Sequence, residues 1–541
     1  MGENTMTLEA YLDDVRARQS RHRGSGWSDE VDYPIGRVTL PAHVEHWAGE
    51  RPDRVALVDG PTTMTYRELD DAHRRVAGWL REHGVTKGDR VAVHLGNRHE
   101  FVVTFLAVLR LGAVHVPVNP MFSAHEVAHE LRDSEARIIV TSSVTEKPAR
   151  DGAAQVEHEC EVVVVDDGSS RMTDGPRVDD DAGEWNALAA LNYTGGTTGL
   201  PKGCCHSQGD MVYTAASTAQ ANGLDAHGDF TALCYLPIFW IAGEDLGILL
   251  PVVLGGTSVL LSRWNADAVL DAVEEHHVQV MVGTVENYLE LMARDDIGSR
   301  DLSSLTDPQA VSFVRKMTPE VRASWTAAVP DGGVLREAAY GMTETHTMDT
   351  SPYGLHADDM DLRAEPVFCG LPVPGTDIAV VEFGTQTPVP VGETGEIIVR
   401  SPSVTSGYWR NEEATRRQLV DGWLHTGDNG RIDDEGFVHY LGRDKEMIKV
   451  KGMSVFPAEV EMAVAAHPAV VACAVVAKPD DETGERPVAF VTVTQAVDAD
   501  RLREFAAERL AAYKVPEIRV IEAMPMTATG KIRKNELGAQ G

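Results

Sequence analysis

From Met64 onward the chain switches repeatedly between two spacings of apolar residues. Residues 66–83 carry them every three or four positions, which predicts a helix, and 90–95 form a β-branched run, which predicts a strand. Residues 100–111 read as helix and 114–118 as strand. Ser123 with Glu126 makes a capping box, the start signal for a helix ending near Glu135. Strands are expected at 137–141, 161–165, 187–193, 231–236, 258–261 and 278–283, and helices at 266–276 and 285–294. Between them, 166–183 is rich in Asp, Gly and Ser and predicts a solvated surface loop. Such alternation is the pattern of parallel sheets covered by helices, an α/β fold.

The texture changes near Val367 to shorter strands with tight turns, as at 431–440, where Asp433-Asp434-Glu435-Gly436 marks the turn. Helices at 458–466 and 500–510 with strands at 469–477 and 487–493 predict a small α+β unit at the end. A chain of 541 residues exceeds what one core supports. The expected architecture is therefore a large N-terminal domain, 1–441, with a short leader (1–30), two helix-covered, mostly parallel sheets (31–366) and a β-rich subdomain (367–441). The charged segment Gly442-Arg443-Asp444-Lys445-Glu446, poor in apolar anchors, is the expected hinge, and 447–541 the small mobile C-terminal lid.

Composition narrows the function. A formal net charge of −34 argues against nucleic acid or an anionic membrane as a partner. Membrane insertion is not expected either, because Glu244, Asp245, Pro251, Gly255 and Gly256 interrupt the most apolar stretch, 236–261. The first 23 residues have no apolar signal core, so a cytoplasmic location is expected. Six cysteines fit neither a metal knuckle nor a disulfide framework, and adjacent Cys204 and Cys205 read as packing residues. A polyphosphate ligand would need local positive charge against this acidic background, which singles out cations in glycine-rich loops.

One such loop follows a predicted strand: Tyr193-Thr194-Gly195-Gly196-Thr197-Thr198-Gly199-Leu200-Pro201-Lys202-Gly203. Glycines let successive N–H groups point at one anion, while Thr hydroxyls and a Lys add donors. It is not a Walker loop, which needs Gly directly before Lys202 and Ser or Thr directly after.

The string resembles the phosphate loop of the AMP-forming adenylation superfamily, which includes acyl-CoA synthetases, luciferases and peptide-synthetase adenylation domains. Further family-like segments stand in the family's order: Met64-Thr65-Tyr66-Arg67-Glu68-Leu69, Tyr340-Gly341-Met342-Thr343-Glu344, Gly422-Trp423-Leu424-His425-Thr426-Gly427-Asp428, Gly442-Arg443 and Thr529-Gly530-Lys531. The resemblance covers about residues 40–535 and implies ATP, Mg²⁺ and coenzyme A as cofactors and co-substrates, with a small-molecule acid as the group activated. It implies that Thr194, Thr197, Thr198 and Lys202, with the loop glycines, hold the β- and γ-phosphates. Tyr340, Gly341 and Met342 would help bind the nucleotide, and of the catalytic pair that follows, Thr343 would touch the α-phosphate and Glu344 would hold Mg²⁺. Asp428 would accept the ribose hydroxyls with Arg443 beside it. Lys531 would bridge the attacking carboxylate and the phosphate. Lys445 stands at the hinge position, and Lys449, Lys451 and Gly452 lie on the lid face that borders the pantetheine tunnel in acyl-CoA synthetases.

Two places depart from the pattern. Where relatives keep a small-residue segment beside adenine and the acyl pocket, this chain has Ser312-Phe313-Val314-Arg315-Lys316-Met317, and Trp240 stands where a His is common. Trp240 and Phe313 would shorten the pocket, and Arg315 or Lys316 could neutralise an anionic group on the substrate; the competing expectation is that both cations reach the surface. The leading expectation is an acid–CoA ligase. Alternatives within the superfamily deliver the adenylate to a separate carrier protein or to oxygen, or activate nitrite for an aryl amine as a diazotase does; outside it stands a non-catalytic nucleotide binder. The sequence leaves a homodimer open.

Overall fold

The structure, a computed structural model, describes residues 6–24, 27–166, 171–194, 201–224, 229–312, 315–364, 367–451, 453–480, 482–527 and 531–539. Among these, two largely parallel sheets dominate the first two thirds of the chain. One orders its strands Arg336–Glu337, Asp307–Val311, Val280–Thr284, Thr231–Cys234, Thr257–Leu260, Val55–Asp59 and Thr62–Thr65, the last pair being an antiparallel hairpin. The other runs Glu161–Val164, Ile138–Thr141, Arg90–His94, Val114–Pro117, Leu188–Tyr193 and Gly203–Ser207, again antiparallel only at its final pair. That final pair brackets the glycine loop.

Local signals explain the helices between them. Helix Tyr66–Glu82 starts at a capping box in which the Thr65 N–H donates to Glu68 Oε2 at 2.8 Å, and it buries Tyr66, Leu69, Val76 and Leu80. Helix His99–Arg110 is buried from Phe101 onward and shares one core with Leu57 and Ala232 of the first sheet and Val91 and Val93 of the second. Its end carries the fully buried Arg110, whose Nε donates to the Val178 carbonyl at 2.9 Å.

The segment expected as a solvated loop is irregular and exposed over most of its described residues, but it is anchored at two points: Met172 and Val178 are buried in the main core, and the backbone at Val178 and Asp179 caps the Arg110 guanidinium. A buried cation needs acceptors, and carbonyls of a polar-looking segment supply them.

A third, antiparallel sheet contains Thr350–Ser351, Val367–Pro372, Val438–Arg443, Trp423–Ile432, Gly395–Arg400 and Asp377–Val381 in that order. Its central hairpin turns at Asp433, whose Oδ1 accepts from the N–H groups of Glu435 and Phe437. The expected leader is a helix, Leu8–Gln19, and it belongs to this sheet's core: Tyr11, Leu12 and Val15 bury against Ile378, Val380 and Val399. Arg16 pairs with Asp377 at 2.6 Å.

Arg443 is the last residue of this sheet; Asp444–Glu446 form one tight helical turn, and Ile448 begins the next sheet. That sheet orders Met453–Val455, Ile448–Val450, Gly484–Val493 and Val470–Asp480, with Glu517–Val520 parallel to Gly484–Val493, and it buries its own core around Val460, Val475 and Leu502. Among the described residues no helix is long and apolar enough to cross a membrane.

Candidate active site

The glycine loop leaves strand Leu188–Tyr193 and returns through Gly203–Ser207. Its stem is closed by Thr194 N–H donating to the Lys202 carbonyl at 2.9 Å. Gly195, Gly196, Thr197, Thr198, Gly199, Phe313 and Gly452 lie outside the described residues. Lys202 is placed: its ammonium lies 4.0 Å from the Tyr408 ring centre and donates to Gln418 Oε1 at 3.4 Å. Burial lowers its pKa, while Glu344 opposes that effect.

Opposite stands the turn Tyr340–Glu344. Gly341–Met342 pairs with Thr347–Met348 across a single helical turn at Thr343–Thr345. A Cβ on Gly341 would fall 1.3 Å from the Thr347 carbonyl oxygen, so only glycine lets these strands meet. Glu344 is anchored through its backbone, whose carbonyl accepts from Thr405 N–H at 2.7 Å. The Tyr408 hydroxyl lies 2.8 Å from Glu344 Oε1 and 2.6 Å from Gln418 Oε1. Tyr408 therefore joins the phosphate-loop lysine, through its ring, to the Glu344 carboxylate, through its hydroxyl. Sequence reasoning passed over it; Ser406-Gly407-Tyr408-Trp409 was the available signal.

Asp428 and Arg443 face each other in register on adjacent strands, with Arg443 Nε 2.9 Å from Asp428 Oδ1. The Tyr340 hydroxyl donates to Asp428 Oδ2 at 2.7 Å. Burial pushes Asp428 up to about 6, with Arg443 and the Tyr340 hydrogen bond pulling it down. Oδ1 is buried without an aligned hydrogen-bond donor despite the near guanidinium. A carboxylate so placed fits a ligand that brings hydroxyl donors, as a ribose does.

Lys531 arrives from the C-terminal unit. Its backbone is pinned by Thr527, whose N–H donates to the Lys531 carbonyl at 2.7 Å and whose Oγ1 accepts from Lys531 N–H at 3.0 Å. The ammonium lies 5.5 Å from the Trp240 ring centre. Its side chain meets the water of the cleft but is flanked by protein, and that crowding, then Arg443, lowers its pKa while Asp428 raises it. The structure thus brings Lys531, Asp428, Arg443 and Trp240 together.

Other expected residues stand elsewhere. Lys449 and Lys451 lie on an exposed hairpin of the C-terminal unit, the Lys449 ammonium donating to Ser454 at 2.9 Å. Lys445 is exposed within the turn Asp444–Glu446. Arg315 is half-buried and its backbone N–H donates to Glu286 at 2.9 Å. Lys316 donates to the Ser312 carbonyl at 3.1 Å, and its charge is felt by Glu337 and Glu461.

Behind the Thr343 turn runs a buried polar file that the sequence reading also missed. His206 Nε2 donates to the Thr343 carbonyl at 2.8 Å, and its ring lies 4.6 Å from that of His346. His346 Nε2 is 3.6 Å from Glu244 Oε1, and Asn192 donates to Glu244 Oε2 at 3.1 Å. Burial pushes Glu244 up to about 8 and holds His346 well below its usual range. An acid breaking an apolar run was the visible signal.

A phosphate-type loop, a carboxylate suited to ribose and a lysine delivered by a second domain define a nucleotide-dependent enzyme of the adenylate-forming class. The profile of the AMP-binding enzyme family matches residues 44–409, and that of the AMP-binding enzyme C-terminal domain matches 459–531. The chain belongs to this family, within the AMP-forming adenylation superfamily. It is 34% identical over 521 residues to feruloyl-CoA synthase from Amycolatopsis sp, covering 96% of this chain and 99% of that one. It is 32% identical over 507 residues to 4-coumarate–CoA ligase 3 from Oryza sativa subsp. japonica, covering 91% and 90%. Among solved structures it resembles an anthranilate CoA ligase in complex with anthranoyl-AMP (TM-score 0.81, 27% identity, 92% of this chain and 96% of that one). It also resembles o-succinylbenzoate CoA synthetase from Bacillus subtilis with its acyl-adenylate (TM-score 0.80, 29% identity, 92% and 98%).

Proposed function

We propose that this chain is an AMP-forming acid–CoA ligase that acts on an aromatic or arylpropenoic acid, with Lys531 as the residue that assists adenylation. The placement of Lys531 beside Asp428, Arg443 and Trp240 carries the reading, because a binding protein has no use for a lysine delivered into the cleft by a separate C-terminal unit. In the first half-reaction a carboxylate oxygen attacks the α-phosphorus and the bond to the β-phosphate oxygen breaks, releasing pyrophosphate. Negative charge gathers between two anions, so fixed cationic donors lower the barrier. Lys531 supplies one at the carboxylate and α-phosphate; Lys202, with the loop from Thr194 onward, holds the departing phosphates; Thr343 contacts the α-phosphate. Asp428 fixes the ribose, with Arg443 beside it. Mg²⁺ held by Glu344 would neutralise phosphate charge.

In the second half-reaction the CoA sulfur attacks the acyl carbon and AMP leaves. For this the lid turns about Lys445, withdrawing Lys531 and presenting the Lys449–Lys451 hairpin. Division into a body through residue 441, a hinge at 442–446 and a lid from 447 is supported by the passage from one sheet to another across Asp444–Glu446. Relatives named as CoA ligases favour CoA over nitrite or a carrier protein as acceptor, and their substrates place 4-coumarate, ferulate and anthranilate first in a test panel. A reducing, cytoplasmic setting suits six free cysteines.

The test incubates the protein with ATP, Mg²⁺, CoA and that panel, with parallel reactions supplying nitrite and an aryl amine in place of CoA, and identifies products by mass. The account expects acyl-CoA, AMP and pyrophosphate in equal amounts for at least one acid. ADP as the nucleotide product, or AMP made only with nitrite and amine, would contradict it.

A further inference from the structure

We propose that Trp240 is a positioning residue for adenylation, its indole face receiving the Lys531 ammonium and holding it at the nucleotide. The inference rests on the reading above and adds to it a residue the chain does not share with the usual pattern, where a His is common. Three observations carry it.

The first is geometric. Lys531 Nζ lies 5.5 Å from the Trp240 ring centre, inside the range of about 6 Å over which an aromatic face attracts a cation, and Trp provides the strongest such face. The second is that the backbone is fixed at both ends of the pair. On the lid, Thr527 and Lys531 exchange two hydrogen bonds, and Arg533 N–H donates to the Pro525 carbonyl at 2.8 Å. On the body, the segment bearing Trp240 is clamped by buried Asn97, which donates to the Leu236 carbonyl at 2.8 Å and accepts from Ile238 N–H at 2.9 Å. Trp240 itself caps helix Ile241–Glu244, whose Glu244 N–H donates to the Trp240 carbonyl at 2.9 Å. Gly243 lets this turn fold so closely that a Cβ there would lie 2.1 Å from the Pro237 carbonyl oxygen. Between these two fixed backbones the indole ring meets the end of the lysine's four-carbon stem.

The third observation is chemical. Among the charged groups that act on Lys531 are Arg443, which repels it, and Asp428, which attracts it. Asp428 accepts from Tyr340 through Oδ2 and lies against the Arg443 guanidinium through Oδ1. A carboxylate placed directly on the ammonium would hold it but cancel the charge that the transition state needs. A π face attracts the cation without neutralising it, leaving N–H groups for the incoming carboxylate and the α-phosphate. An imidazole at this place offers a smaller face and, once protonated, repels the ammonium.

The experiment measures single-turnover acyl-AMP formation by the full-length chain across pH 6–10, using the acid found active, and thioester formation from supplied acyl-AMP. Trp240→Phe, Trp240→Leu, Lys531→Ala and the Trp240→Leu/Lys531→Ala double variant are compared. Lys531 must be protonated to act, so the adenylation rate falls as pH rises through its pKa. Removing the π face lowers that pKa further, so Trp240→Leu should move the alkaline limb to lower pH and slow adenylation roughly 10-fold, with Trp240→Phe between it and the parent. In the Lys531→Ala background the Leu substitution should cost adenylation nothing more. An unmoved alkaline limb, or the same loss with and without Lys531, would overturn the proposal and make Trp240 a plain pocket wall. A parent protein that forms no acyl-AMP with any acid would instead overturn the functional reading on which the proposal rests.

Discussion

At the scale of single residues, burial alters the ordinary behaviour of side chains in the candidate site. Asp428 is the clearest case, held near 6 by loss of water against the pull of Arg443 and Tyr340. The ionised carboxylate accepts hydroxyl donors at both oxygens and more strongly than the neutral acid, so ATP should bind progressively more weakly as pH falls through about 6. Asp428→Asn should raise the ATP KM by roughly 10-fold or more, since a hydrogen bond to a charged group contributes about 1.5–3 kcal/mol, and it should abolish that pH dependence. Titrating ATP affinity between pH 5 and 8 for both proteins checks this; an unchanged KM would remove Asp428 from the ribose site. The expectations for Lys202, Glu344, Asp428 and Lys531 came from short local motifs, each readable without knowing the fold. Tyr408 was harder to read because its partners, Lys202, Glu344 and Gln418, come from three other segments.

At the scale of elements, the turn Tyr340–Glu344 is held from behind by the file His206, His346, Glu244 and Asn192. Its strands and helices follow from periodicity and capping, but its contacts do not, because they join the two strands around the glycine loop, the turn itself and the helix after Trp240. The same reason hid the packing of Met172 and Val178: a segment rich in Asp and Gly reads as solvated until a buried arginine needs its carbonyls. Glu244 yields a stability prediction. Its folded pKa of about 8 lies above the ordinary value of 4.5, so the unfolded chain loses this proton first as pH rises. The group therefore costs stability increasingly between those values. Glu244→Gln can keep the Asn192 contact and should raise Tm, more at pH 8 than at pH 5. Thermal unfolding at the two pH values measures it; equal shifts would show that Glu244 is not held neutral in the fold.

At the scale of the whole molecule the essential fact is that the body and the C-terminal unit meet over the cleft with Lys531 between them. Their order along the chain was legible from the change of texture near Val367 and the charged segment before Met447; this meeting was not, because no local pattern states how two units dock. In the structure Lys534 also bonds both Glu446 of the turn Asp444–Glu446, at 3.0 Å, and Glu461, at 2.9 Å, tying helix Lys534–Ala539 to the turn proposed as the hinge. Lys445→Pro should fix the hinge near its present helical turn, because proline holds φ at about −65°. Acyl-AMP formation should survive and thioester formation should fall by at least roughly 10-fold, the mirror image of Lys531→Ala, which should slow adenylation roughly 100-fold and spare the thioester step. Half-reaction rates for the two variants decide it, and equal losses in both steps would argue against a lid that changes pose.

The most direct measurement follows oxygen. With an acid labelled with ¹⁸O in its carboxylate, attack on the α-phosphorus joins one labelled oxygen to AMP, and it stays there when the thiol takes the acyl group. Mass analysis of the nucleotide after turnover with ATP and CoA should find AMP carrying one ¹⁸O. Label in pyrophosphate or free phosphate, or unlabelled AMP alongside acyl-CoA, would contradict adenylation of the acid by this site.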